Sequence, residues 1–213
     1  YSHLALADLI ESKEAEKVTS NQRKNFESLF NYITNSKSHV CLHLANSAGT
    51  FRDKNLHYDM VRVGLSLYGY SPINLKNISF ELEPALSVKA RITLIRDVPS
   101  GVGVGYGHTF KTQRKSRLAV VAIGYADGIN RILSGKIFGI VEGTLLPQVG
   151  SIAMDQLVID ITDKPDVKVG SVVTFLGKQD SLIIDPKQWC EYSGSIPWEV
   201  LCGFKNRLPR VVI

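Results

Sequence analysis

An α/β segment followed by a mainly antiparallel β domain is the fold class this sequence predicts, and three observations predict it. Residues 1–70 alternate short apolar runs with polar helical stretches, the rhythm of βα units on a parallel sheet. From about Leu86 the pattern changes to short β-rich runs divided by Gly, Pro and Asp, as in an antiparallel barrel or sandwich. Between them, residues 71–84 hold two prolines and two asparagine-rich turns, which places a domain boundary there.

The elements follow in order. Residues 2–7 are a short apolar run. A helix is expected over 21–33, where Phe26, Leu29, Phe30 and Ile33 recur at helical spacing, with Thr19 or Ser20 as its cap. Residues 40–44 read as a strand that ends in the turn-like Asn46-Ser47, and residues 60–68 read as another strand. In the second half the β runs are 88–95, 118–123, 137–141, 157–161 and 172–176. A short helix is expected over 185–192, capped by Asp185 with Pro186 at its first position. The sequence shows no internal repeats.

Composition narrows the function classes. The 213 residues are 44% hydrophobic and 21% charged, enough to bury a core without disulfides or metals. No apolar run approaches the roughly 20 residues that span a bilayer. The first residue is Tyr1 rather than Met, which suggests an engineered, processed or excised chain. Cys41, Cys190 and Cys202 are scattered without a CxxC pair, so no metal site or disulfide framework is indicated and a reduced, cytoplasmic protein is expected. The net charge of +5 is spread over the whole chain, whereas a nucleic-acid-binding face would cluster it.

Five constellations carry possible chemistry. His43 to Gly49 (HLANSAG) ends a predicted strand with small and hydroxyl residues, which suits phosphate binding but equally a helix cap. In Asp59 to Gly69 (DMVRVGLSLYG), Arg62 lies between Val61 and Val63, and a cation in an apolar strand needs a partner. Ile123 to Gly128 (IGYADG) runs a strand into an Asp-Gly turn with Tyr125 at its edge. Val149 to Gln156 (VGSIAMDQ) contains a Met154-Asp155 pair, and Phe204 to Arg210 (FKNRLPR) lies close to the end. The glycines of 101–107 precede no helix, so a dinucleotide loop is a poor reading of them.

Taken in order, these motifs resemble alanine racemases, a family of fold-type III enzymes that use pyridoxal 5'-phosphate (PLP). The resemblance implies that residues 1–75 are the C-terminal portion of a PLP-binding (β/α)8 barrel. It implies that residues 85–213 form the family's C-terminal β domain. Ser47 would contact the PLP phosphate by its hydroxyl, Gly64 and Leu65 by backbone N–H, and Arg62 would face the pyridine nitrogen. A guanidinium stays charged, so that nitrogen remains unprotonated and the cofactor is a weaker electron sink. Tyr125 is expected as the catalytic acid/base, with His3 bridging it to Arg62 and His43 nearby in a supporting place. Gly105-Tyr106-Gly107 stands where the family has a similar Tyr-Gly pair, 19 residues before Tyr125. The Met154 backbone N–H, with Asp155 beside it, would take the substrate carboxylate.

The sequence departs from the family at three places. Ser151 and Ala153 stand where many relatives have Arg and Cys, and Asn206 stands where many have a tyrosine that touches the phosphate and narrows the entrance. The family's PLP lysine belongs to a segment near the start of the barrel with no counterpart here, so this chain alone is expected to be inactive. The family also implies a homodimer whose active site is shared, barrel from one subunit and β domain from the other. The implied substrate is alanine and the implied role is D-alanine supply for peptidoglycan, with no metal, membrane or nucleic-acid partner. The alternatives are a racemase for serine or another small amino acid, and a non-catalytic β-barrel dimerisation module.

Overall fold

The computed structural model describes residues 1–34, 40–74 and 81–212, arranged as two compact units, Tyr1–Ala85 and Leu86–Ile213.

In the first unit, helix α1 spans Lys13–Glu27 and starts eight residues earlier than its apolar spacing suggested. Its cap is Ser12, whose Oγ accepts from the Ala15 N–H, and Glu14 and Glu16 favour the positive end of the helix dipole. Apolar periodicity is blind to these polar first turns. Helix α2 (Phe30–Thr34) is separate because Ser28 turns back on Asn25, its hydroxyl donating to that carbonyl. Phe26, Phe30 and Tyr58 meet edge to face, with ring centroids 5.2–5.5 Å apart. Helix α3 (Ser47–Arg52) is capped by Asn46, whose Oδ1 accepts from Gly49 N–H.

The strands expected over 40–44 and 60–68 are a correction, and the apolar run 2–7 is not a strand either. Among the described residues of this unit, backbone pairing is a single parallel bridge, Asn46 with Arg62. The Arg62 N–H donates to the Ala45 carbonyl and Asp59 N–H to Leu42, so the segments run side by side without an extended ladder. Residues Leu65–Tyr68 coil into a 3-10 turn that Gly69 ends at φ +81°. Leu4, Ala7, Phe26, Leu44, Ala45, Ala48 and Leu56 form this unit's core.

The second unit is a closed six-stranded antiparallel barrel. Its strands in chain order are β1 (Val88–Val98), β2 (Gly103–Val104), β3 (Phe110–Lys111), β4 (Ser116–Val121), β5 (Phe138–Val141), β6 (Thr144–Val149), β7 (Leu157–Asp160), β8 (Val172–Gln179) and β9 (Leu182–Ile184). Around the barrel the order is β1, β4, β7, β6, β5, β8 and back to β1, with β9 added on β8 and β2–β3 a separate hairpin. Irregularities at Val88/Lys89 and Ile92/Leu94 let the long β1 pair β8 with its first half and β4 with its second. Ala119, Val121, Ile140, Ile159, Val173 and Phe175 point inward and are buried.

The five expected β runs correspond to β1, β4, β5, β7 and β8. Strand β6 escaped sequence reading because Pro147 sits inside it. It forms nonetheless, joined to β5 through Glu142 and Gly143, both at positive φ, as a tight hairpin turn demands. Helix α4 (Pro186–Ser193) carries the expected Asp185 cap and Pro186, and α5 (Pro197–Gly203) follows. The α4 residue Trp189 packs against Phe204.

Candidate active site

In the first unit a network converges on Arg62. Its Nη1 donates to His43 Nδ1 at 2.8 Å and to the His43 carbonyl at 3.1 Å. Its Nη2 donates to the Ser2 carbonyl at 2.6 Å and stands 3.4 Å from His3 Nδ1. The Tyr1 ring stacks on His43, with the Arg62 guanidinium 5.3 Å from the Tyr1 centroid. Because a guanidinium only donates, His43 must accept through an unprotonated Nδ1. Desolvation by burial, then the Arg62 charge, hold His43 below the usual imidazole range, which favours that neutral form.

His3 is held more loosely. Its Nε2 lies 3.4 Å from Asn46 Nδ2, whose amide is oriented by the Oδ1 bond to Gly49, so both ring nitrogens face donors. A neutral ring can accept at one nitrogen only, so His3 has a choice of tautomer. Sequence reading ranked His3 above His43, but the geometry gives His43 the shorter contact with Arg62.

Beside Arg62 lies a small backbone cradle. Ser47 is buried at the start of α3, and its Oγ accepts from the Gly64 N–H at 2.9 Å. That bond consumes the Gly64 donor while leaving the Ser47 hydroxyl hydrogen free to be given elsewhere. Gly64 has open space where a side chain would point, since a Cβ there would meet nothing within 4 Å. Leu65 and Ser66 open the 3-10 turn, where backbone N–H groups have no partner within the turn. The buried Ser66 Oγ is likewise unpartnered among the described residues.

In the second unit Tyr125, Met154, Ser151 and Tyr106 are brought together. The Tyr125 N–H donates to the Ala153 carbonyl and the Ala126 N–H to that of Met154. Gly124 is needed for this approach, because a Cβ would come within 2.3 Å of the Ala153 oxygen. Met154 is exposed, and its own N–H has no partner among the described residues. Asp155 is exposed beside it. Buried Asp127 accepts from the Gly124 N–H at 2.9 Å and from Arg207 Nε at 2.8 Å, tying the tyrosine turn to the C-terminal segment. Asn206 sits exposed in the adjoining turn.

Tyr125 is 42% exposed and lines a cavity of about 440 Å³ with Asn130, Arg131, Trp189, Glu199 and Lys205. Tyr106 projects from the turn between β2 and β3 and is 72% exposed. The Ser151 hydroxyl donates to the Tyr106 carbonyl at 2.9 Å. Sequence reading noticed Ser151 only as a departure and Tyr106 only as a companion of Tyr125. Their contact joins residues 45 apart, and the glycines around Tyr106 were the available signal.

Among the described residues no group of three or more His, Cys, Asp or Glu could hold a metal ion, and no helix is long and apolar enough to cross a membrane.

Comparison with known proteins agrees with both units. Residues 85–212 match the family described as alanine racemase, C-terminal domain, and residues 1–72 match alanine racemase, N-terminal domain. An alanine racemase of Prochlorococcus marinus is 61% identical over all of this chain and 55% of its own length; one from Nostoc is 47% identical over 99% of this chain and 54% of its own. The solved alanine racemase of Bacillus anthracis with bound L-Ala-P superposes with a TM-score of 0.86 at 34% identity, covering 99% of this chain and 54% of that one. The chain spans about half the length of the relatives it matches. With its barrel, its Arg62 network and both family domains matched in order, this chain belongs to the alanine racemase family.

Proposed function

We propose that this chain serves a PLP-dependent alanine racemase, contributing the distal strands of the cofactor barrel and the β domain of a shared, two-subunit site. The observation that carries this reading is Arg62. Its two terminal nitrogens are consumed by His43, Ser2 and their neighbours, while its Nε–H has no partner among the described residues. A single free N–H on a fixed, permanently charged group suits a pyridine nitrogen. The open space at Gly64, the free hydroxyl hydrogen of Ser47 and the N–H groups of Leu65 and Ser66 suit a phosphate. These residues fit PLP.

When bound, PLP would acidify the α C–H of the amino acid by drawing electron density from its α carbon. Arg62 would keep the ring nitrogen unprotonated, and the Met154 N–H would hold the substrate carboxylate with Asp155 alongside. A tyrosine of the β domain, from the partner subunit in a homodimer, would move the α proton on one face. The other face falls to a lysine that this reading places outside residues 1–213. The cysteines are unpaired, as suits a cytoplasmic protein making D-alanine for the cell wall.

The tyrosine is Tyr125 on the sequence reading, linked through His3 to Arg62 in the assembled site. The geometry favours Tyr106 as a second reading. Its phenol projects into solvent without a partner among the described residues, whereas Tyr125 faces a cavity of its own unit. A base that serves a neighbouring subunit must project. Racemisation and solvent-deuterium wash-in by the full-length protein carrying Tyr106→Phe or Tyr125→Phe separate the two. The acid/base variant should lose racemisation at least a hundredfold while one enantiomer still exchanges its α hydrogen without inversion.

This chain alone, incubated with equimolar PLP and reduced with borohydride, should show no specific adduct by intact mass. One stoichiometric adduct at a single lysine would mean that the chain builds its own complete cofactor site.

A further inference from the structure

Tyr106 sits in an unusual turn. Gly105 and Gly107 have φ of +68° and +70°, and His108 follows at +45°, a backbone region that residues with side chains seldom occupy. Such a turn holds its shape only where its surroundings impose it. Here they are the segment of Gly150 and Ser151. A Cβ on Gly150 would come within 2.6 Å of the Val104 oxygen, and one on Gly105 within 3.2 Å of the Ser151 nitrogen, so the two backbones touch. Beneath the turn, Ser151 is buried, and its hydroxyl lies 2.9 Å from the Tyr106 carbonyl and 3.3 Å from Thr109 Oγ1. The carbonyl accepts only, so the single Ser151 hydrogen points to Tyr106. Thr109 must then donate to Ser151. The resulting relay, Thr109 to Ser151 to Tyr106, has one direction and fastens both arms of the turn. The Tyr106 phenol has no other tether among the described residues.

We propose that Ser151 is a positioning residue for Tyr106, fixing through the carbonyl the direction in which the phenol leaves the β domain. The proposal rests on the Tyr106 reading of the racemase site. It assigns a role to a position at which this chain departs from the common arginine.

The test uses the full-length protein with Ser151→Ala, Ser151→Thr, Tyr106→Phe and the Ser151→Ala/Tyr106→Phe pair. Ser151→Ala should lower kcat for racemisation about tenfold with KM nearly unchanged, as expected for a displaced base. It should also raise the share of solvent-deuterium wash-in without inversion for one enantiomer, a signature that loss of folded protein does not produce. Ser151→Thr should restore most of the rate. In the Tyr106→Phe background, Ser151→Ala should have no further effect. If Tyr106→Phe abolishes racemisation but Ser151→Ala behaves as the unmodified protein, or the two losses multiply, the positioning role is wrong and the site reading stands. If Tyr106→Phe is fully active, the site reading itself fails.

Discussion

The Arg62 guanidinium and the His43 imidazole share a hydrogen bond of 2.8 Å, Nη1 to Nδ1, in which the histidine must be the neutral partner. Arg62 is thereby braced by side chain and backbone together, since the same nitrogen also reaches the His43 carbonyl. Burial and the adjacent cation both push His43 to titrate below the usual value of 6.5. The unfolded chain therefore binds more protons than the folded one just below about pH 6.5. The stability given by this contact is complete above that window and is lost as pH falls through it. An NMR titration should find the His43 midpoint below that of a free histidine, and Arg62→Ala should move it upward. A midpoint indifferent to Arg62→Ala would show that the cation has no hold on it.

Asp127 and Arg207 give a second test. Asparagine at position 127 can accept from the Gly124 N–H or from Arg207 Nε, but its amide nitrogen must then face the other donor. Asp127→Asn should cost about 1–3 kcal/mol, read from the urea midpoint at unchanged m.

Gly124→Ala probes space rather than backbone freedom, because its φ is extended at −151°. The new methyl would collide with the Ala153 and Met154 carbonyls, which are backbone and cannot rotate away. A cost of about 1–3 kcal/mol is expected. If Met154 N–H holds the substrate carboxylate, KM in the full-length protein should rise as well.

Thr174, on β8, offers the opposite sign. Its side chain is fully buried and its Oγ1 has no partner among the described residues. Thr174→Val keeps the β-branched shape and removes an unsatisfied hydroxyl, so thermal unfolding should show stabilisation of about 1 kcal/mol.

Much of this was legible in sequence where the chemistry is local. The Asp185-Pro186 helix start and five barrel strands are written in neighbouring residues, by cap chemistry and by β-branched runs between turn residues. Strand β6 was hidden by Pro147, and α1 by polar first turns that hydrophobic spacing does not register. The expected strands of the first unit became segments joined by one bridge, with Leu65–Tyr68 coiled into a 3-10 turn, because a strand is defined by the partner that pairs with it.

The sequence by itself determined the family and the residue types available to the site: Arg62 within apolar neighbours, Ser47 before a helix, and tyrosines beside glycines. Only the tertiary structure decided what each one touches. It gave Arg62 to His43 more firmly than to His3, spent the Gly64 N–H on Ser47, closed Asp127 on Arg207 and placed Ser151 beneath Tyr106. The physical reason is common to all four. A hydrogen bond is chosen by position and direction within a few tenths of an ångström, and those pairs lie 17 to 80 residues apart in the chain. Periodicity and caps are settled within a turn or two of backbone, but the partner of a buried polar group is settled by the fold that brings it there.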